Sequence, residues 1–402
     1  MTNAVKKPLD STAWDEFVSA NAAPDWAQEL RAGSQARFMH SGLPTTRWER
    51  YKYTDLPRAE NNRYFPLSNG QLKISGDLSV VKNIDLQNLP QWAQDMLVAA
   101  PAGEEQYKDM VLWHANNAWL RDGLVIDIPA KTTGADVLEL DITGLADTST
   151  APRILIRVGA NAEYTIIERQ SGNGAYWTNA VTQVYLEKGA RLKHYRIQDN
   201  ASEAIYTQNT HVLVERDAGY EAFVLTTGAG LSRNQIHAEL LGENGEVRLD
   251  GINLLSGEMH ADTTITIEHK APHCRSDQNY KSILDDKSHG VFQGKVHVHR
   301  PAQKTDGYQL ANTLLLSSNA QMETKPELEI YADDVKCSHG STTGQIDTGP
   351  LFYLRSRGLS EAQARLLLMQ AFLGPALEQI TDENAREMFG EMTLAWLEKQ
   401  VA

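Results

Sequence analysis

The chain has 402 residues, 41% of them hydrophobic and 22% charged, a composition that excludes a disordered or membrane-embedded protein and supports two or three cores or one elongated stack. Fifty-two acidic against 38 basic residues give a net charge of −14, which disfavours nucleic acid and anionic membrane as partners over most of the surface and leaves proteins and small molecules. No run of about 18 uncharged apolar residues occurs and MTNAVKKPLDSTAWDEF has no apolar signal region, so a cytoplasmic protein is expected, with Cys274 and Cys337 as free thiols.

Residues 1–122 form a mainly helical domain by pattern. Trp14, Phe17 and Val18 fall at i, i+3, i+4 spacing, and similar stripes recur in DWAQELRAGSQARFM and YKDMVLWHANNAWL. Between them, SGLPTTRWERYKYTDLPRAENNRYFP is rich in aromatics and helix breakers and is expected to be ordered but irregular.

From residue 123 the period switches from 3.6 to 2. In VLELDI, Leu138, Leu140 and Ile142 share one face, while Glu139 and Asp141 take the other; RILIRV does the same with Ile154, Ile156 and Val158. The alternation returns in LKHYRI, THVLVE, TTITIE, GKVHVH and PELEIY, so residues 123–348 are predicted to be a continuous β core. Sandwiches, a barrel and a β-helix all fit that pattern. Short strands with single-glycine turns at Gly172, Gly228, Gly245 and Gly257 rank the β-helix first.

Helical periodicity returns in residues 349–402. GLSEAQARLLLMQAFLGP has Ser360 and Gln363 spaced as a capping box, an apolar stripe through Ala364, Leu367, Leu368, Ala371 and Phe372, and Gly374-Pro375 as a stop. A last helix is expected in TDENAREMFGEMTLAWLEKQ. Two short helices cannot bury two apolar faces by themselves, so they must dock on the β core or on another protein.

Chemical motifs are mostly incomplete. GVFQGKVH spaces its glycines wrongly for a phosphate loop and places Val296 where Ser or Thr would hold magnesium; GAGLSR has Arg233 at the third glycine of a dinucleotide fingerprint. His297 and His299 share a strand face as paired metal ligands would, yet no carboxylate follows closely, and a solvated face with Val296 and Val298 inward is the simpler expectation. His269, His273 and Cys274 lack a fourth zinc ligand nearby. The pattern alone describes an acidic, mainly β protein with docking helices and one Cys-x-His at Cys337 and His339.

The run LANTLLLSSNAQMETKPELEIYADDVKCSHGSTTGQIDTGPLFYLRSRGLSEAQARLLLMQAFL closely resembles the carboxyl-terminal signature of the SufB/SufD family, scaffold subunits of the Suf iron–sulfur cluster assembly machinery. HKAPHCRSDQNYKSILDDKSHGVFQGKVHVHRPAQKTDGYQ resembles the same family, and RWERYKYTDL, with few cysteines, resembles its SufD branch. The resemblance implies a right-handed parallel β-helix flanked by amino- and carboxyl-terminal helical domains. It further implies a non-catalytic scaffold that pairs with SufB through the β-helix, binds the ATPase SufC through the carboxyl-terminal helices, and holds iron or a cluster only transiently. No cofactor is expected on the isolated chain, a flavin on the complex is allowed, and the chain alone is expected to self-associate through the face meant for SufB.

On that reading His339 and Cys337 are the candidate iron or cluster ligands, and Phe352, Tyr353, Arg355, Arg357 and Leu359 are the candidate SufC contact. The alternative is a stand-alone β-core metalloprotein or metalloenzyme using His297 and His299.

Overall fold

Strands from Leu124 to Gly344 alternate between two sheets of nine and ten strands, each pairing in parallel with the next strand of its own sheet. Thus Ile205–Val214 lies between Trp177–Leu186 and Leu231–Leu240, while Gly219–Thr226 lies between Arg191–Asp199 and Glu246–Leu255 in the other sheet. This is a parallel β-solenoid, the β-helix ranked first from the pattern, with no break near residue 240. The computed structural model describes residues 11–56, 67–68, 70–99, 110–134 and 137–401.

Period-2 alternation supplies the interior. Leu138, Leu140, Ile142, Ile154, Ile156 and Val158 face inward with Ile166, Val212, Ile236, Ile265 and Phe292 from later coils. Corners between strands repeatedly use Asp or Asn in the left-handed region, at Asp147, Asn161, Asp217, Asn244 and Asp286, where a short polar side chain tolerates positive φ.

Helices α1 (Ser11–Ala20), α2 (Asp25–Ser41), α3 (Gln91–Val98) and α4 (Val111–Ala118) include the expected amino-terminal stripes. Tyr107, Lys108 and Asp109 of the third stripe, and residues 57–66 of the irregular segment, lie outside the described residues. Ala27, Ala93 and Leu97 pack with Val125 and Leu155 on the outside of the ten-stranded sheet. Buried Arg153 donates to Asn116 Oδ1 and to Gln183 Oε1, tying α4 to that sheet. Two short strands also occur in this region: Gln71–Ser75 and Val81–Asn83 pair antiparallel with the first strands of the two sheets. Five and three residues are too few for alternation to stand out.

The outside of the nine-stranded sheet is covered by α6 (Glu361–Leu377) and α7 (Glu383–Val401), while the preceding α5 (Thr348–Ser356) packs on α6 and has no buried residue. Ile197, Phe223, Ile252 and Ile283 meet Met369, Leu373, Phe389 and Leu397 there. The Ser360–Gln363 capping box forms as expected. LFYLRSRGLS is mostly helix, and the Asp347 side chain caps α5 by accepting from the Gly349 N–H. Two expectations need correction. Pro375 lies inside α6, not at its end, so Gly374-Pro375 does not stop the helix. The buried stripe of α6 is Ala364, Met369, Leu373 and Ala376, whereas Leu367 and Ala371 are exposed. Consecutive Leu366, Leu367, Leu368 and Met369 make α6 apolar around most of its circumference, so spacing alone does not select a face. No helix among the described residues is long and apolar enough to cross a membrane.

Candidate functional site

The opposite end of the solenoid from the antiparallel strands is closed by Gln321–Ile330 and Lys336–Gly344, the last strands of the two sheets. Cys337 and His339 alternate on the second of these, in register with Gly307 and Gln309 of the preceding coil. A Cβ placed on Gly307 would approach both Cys337 Sγ and Val296 on the opposite sheet, so Cys337 and His339 project from the inward-facing side of the last coil. Cys337 is half-buried against Val296, Val298, Ala302 and Ala332, and burial pushes its thiol pKa up, which favours the protonated form. His339 is exposed.

Beyond this coil, Phe352 and Tyr353 of α5 are 74% and 57% exposed, large apolar surfaces on a helix with no buried residue. Arg355 Nη1 lies 3.4 Å from Glu361, Arg357 lies over the Tyr353 ring, and Leu359 is half-buried. The structure thus groups Phe352, Tyr353, Arg355 and Arg357 on one short helix and its exit.

The cluster read from His269, His273 and Cys274 does not converge. His269 is buried and bonded to Ser276 Oγ at 2.8 Å; His273 sits in an exposed corner with φ of 60°; Cys274 donates to the Gly242 carbonyl. The turn at Pro272 separates the three side chains.

Among the described residues, two groups of three side chains bring ligand atoms within 4.8 Å of one another, and neither includes Cys337 or His339. One is buried: His211 Nε2 and His237 Nε2 stand 2.8 and 3.5 Å from Glu239 Oε1, and Lys270 bonds the other carboxylate oxygen. The second corrects the expectation of a solvated face without a carboxylate. Glu268, one coil earlier and in register with His297, lies 3.0 Å from His297 Nδ1 and 2.5 Å from His299 Nε2. Burial opposes ionisation of Glu268, but the His299 hydrogen bond and the nearby His297 outweigh it and hold the carboxyl below its usual range. Sequence spacing hides these groups, because register across coils, and not proximity along the chain, brings them together.

A family model described as SUF system FeS cluster assembly, SufBD core domain, matches residues 141–372. An iron–sulfur cluster assembly SufBD family protein of Synechocystis is 34% identical over 291 residues, 69% of this chain and 64% of that protein. The iron–sulfur cluster assembly protein SufD of Escherichia coli is 28% identical over 404 residues, 92% of this chain and 95% of that one. The chloroplastic protein ABCI7 of Arabidopsis thaliana is 34% identical over 242 residues, 59% of this chain and 50% of that protein. The chain thus spans less than two thirds of the Synechocystis and Arabidopsis relatives and nearly all of the Escherichia coli one. Because the matched core takes in more than half of the sequence and most of the solenoid, the chain belongs to the SufBD family of iron–sulfur cluster assembly proteins.

Proposed function

We propose that this chain is a non-catalytic scaffold subunit of a cytoplasmic Suf complex, pairing with SufB through the end of its solenoid and with the ATPase SufC through its carboxyl-terminal helices. The observation that carries the reading is the incompleteness of the last coil. Cys337 and His339 offer a thiol and an imidazole, donors suited to iron, on a strand that among the described residues is paired on one side only, and neither converging ligand triad contains them. An iron ion or nascent cluster carried there needs further ligands from a second protein, and an unpaired strand edge is itself a docking element. Iron and cluster are cargo in this reading, held transiently; a flavin on the complex belongs to the same proposal. A second copy of the chain offers the same edge, so self-association about a two-fold axis is expected when SufB is absent.

The exposed apolar and cationic surface of α5 supports the SufC contact. His339→Ala is expected to leave the SufB–SufC–SufD-type complex intact on co-purification, with normal melting, while depressing cluster formation on reconstitution; Cys337→Ala does less. Charge reversal at Arg355 and Arg357 weakens SufC retention without loss of folding. If His339→Ala assembles clusters at the normal rate, the ligand role is wrong; a chain that retains neither SufB nor SufC sinks the scaffold reading.

A further inference from the structure

We infer that Glu268, His297 and His299 form a divalent transition-metal site on the outer face of the ten-stranded sheet, separate from the last coil. The three residues come from two adjacent strands, His260–His269 and His289–Val298, with His299 immediately after the second, so a regular parallel ladder sets their positions. His297 and His299 are two apart and share a face; Glu268 stands in register with His297. Their ligand atoms already converge: His297 Nδ1 and His299 Nε2 lie 3.0 and 2.5 Å from the same oxygen, Glu268 Oε2. Bonds of 2.0–2.2 Å in a tetrahedral centre separate ligand atoms by about 3.4 Å, so an ion enters with small side-chain rotations and no movement of the ladder.

Access distinguishes this group from its buried neighbour. Side-chain exposure rises from 7% at Glu268 to 20% at His297 and 35% at His299, giving an anchored carboxylate with its imidazoles toward solvent and room for water or a further ligand. Tyr331 crosses the His297 ring edge-on at 5.4 Å and walls one side. By contrast His211, His237 and Glu239 are all under 10% exposed, Trp113 packs on His211, and the Lys270 ammonium already occupies Glu239. A cation there repels a second, and the three side chains are almost closed off from solvent, so that trio is a packing network. The nearby Lys295 is held by Glu329 at 2.9 Å. Two imidazoles and one carboxylate suit zinc, ferrous iron or cobalt better than magnesium or calcium, which prefer all-oxygen sites.

The test uses the full-length chain, freed of metal with a chelator and titrated with Zn²⁺ by calorimetry and with Co²⁺ by visible absorption. Wild type is expected to take one ion per chain at this site with the ligand-field bands of imidazole coordination. Glu268→Gln and His299→Ala are each expected to weaken binding at least tenfold, and His339→Ala to leave it unchanged. His299 is the most exposed ligand, so its variant reports on the site even if Glu268→Gln disturbs folding. Wild-type affinity in His299→Ala, no uptake by wild type at micromolar Zn²⁺, or loss of binding in His339→Ala alone would each overturn the assignment. The readout is metal stoichiometry of the isolated chain, so it can fail while the scaffold reading stands, and the reverse.

Discussion

Cys337 lies beside Gly307 of the preceding coil, so close that a Cβ built on the glycine would stand 3.4 Å from the Cys337 Sγ. The same Cβ would meet Ser276 Oγ and Val296 Cγ1 at 3.5 Å, all ordinary contacts. Gly307→Ala is therefore expected to fold normally and to gain up to about 1 kcal/mol by restricting the unfolded chain. Gly307→Leu overfills the gap, costs about 1–3 kcal/mol and displaces the thiol. Thermal melting and the rate of Cys337 alkylation in the native protein check both. A leucine variant indistinguishable from wild type in both measurements would mean that the last coil is not packed this way.

Inside the solenoid, Arg196 Nε donates to Glu168 Oε2 at 2.7 Å, His194 Nε2 lies 3.0 Å from the other Glu168 oxygen, and all three residues are buried. Burial opposes ionisation of Glu168, but Arg196 and His194 overcome it and hold the carboxyl far below its usual range. Glu168→Gln leaves the Arg196 charge buried without its counter-ion and is expected to cost about 3–5 kcal/mol. The double change Glu168→Gln/Arg196→Met removes that charge and recovers much of the loss. Chemical denaturation of the three variants measures it, and equal stability of single and double variants contradicts the argument.

Three buried histidines set an acid limit. Burial drives His114, His260 and His269 down to about 4, so the folded chain keeps them neutral while the unfolded chain protonates them near 6.5. Between those values the unfolded state binds more protons, and stability falls as pH drops from about 6.5 toward 4. His269→Gln, keeping a partner for Ser276, is expected to flatten the melting-temperature profile across that window. A slope identical to wild type would remove His269 from the account.

Asp250 acts in the opposite direction. Burial first, then Asp277 and Glu221, push its carboxyl up to about 8 despite Arg248 alongside. The folded state retains a proton that the unfolded state has lost above about 4, so stability falls as pH rises from there to about 8. Asp250→Asn is expected to melt progressively higher relative to wild type as pH is raised from 5 to 8.5. A difference that does not change with pH refutes the raised carboxyl.

Two phenylalanines on the carboxyl-terminal helices separate docking from folding. Phe389 is fully buried against Tyr195 and Phe223, with ring centroids 6.2 and 5.6 Å away, and Phe389→Ala is expected to cost about 3–5 kcal/mol. Phe352 is 74% exposed, and Phe352→Ser is expected to stay within about 0.5 kcal/mol of wild type. Melting curves distinguish them; strong destabilisation by Phe352→Ser would place that ring in the core.

The β character of the chain between Leu124 and Gly344 was legible because side-chain alternation is a local property: Leu138, Leu140 and Ile142 declare an inward face whatever they pack against. The Ser360–Gln363 cap was legible for the same reason, as donor and acceptor lie within one helical turn. The face of α6 was not, since an almost uniformly apolar helix receives its orientation from the sheet it meets.

The sequence by itself determined the period switches and the resemblance to the SufB/SufD family; that Cys337 and His339 share one strand, Lys336–Gly344, came from the structure. Only the tertiary structure decided which residues become neighbours across coils. Coil length is set by irregular corners at residues such as Asn244 and Asp286, and small differences there shift every pairing that follows. Glu268 therefore looks remote from His297 along the chain, yet the parallel ladder sets the two side by side, because stacking adds one coil-length between every pair of contacting strands.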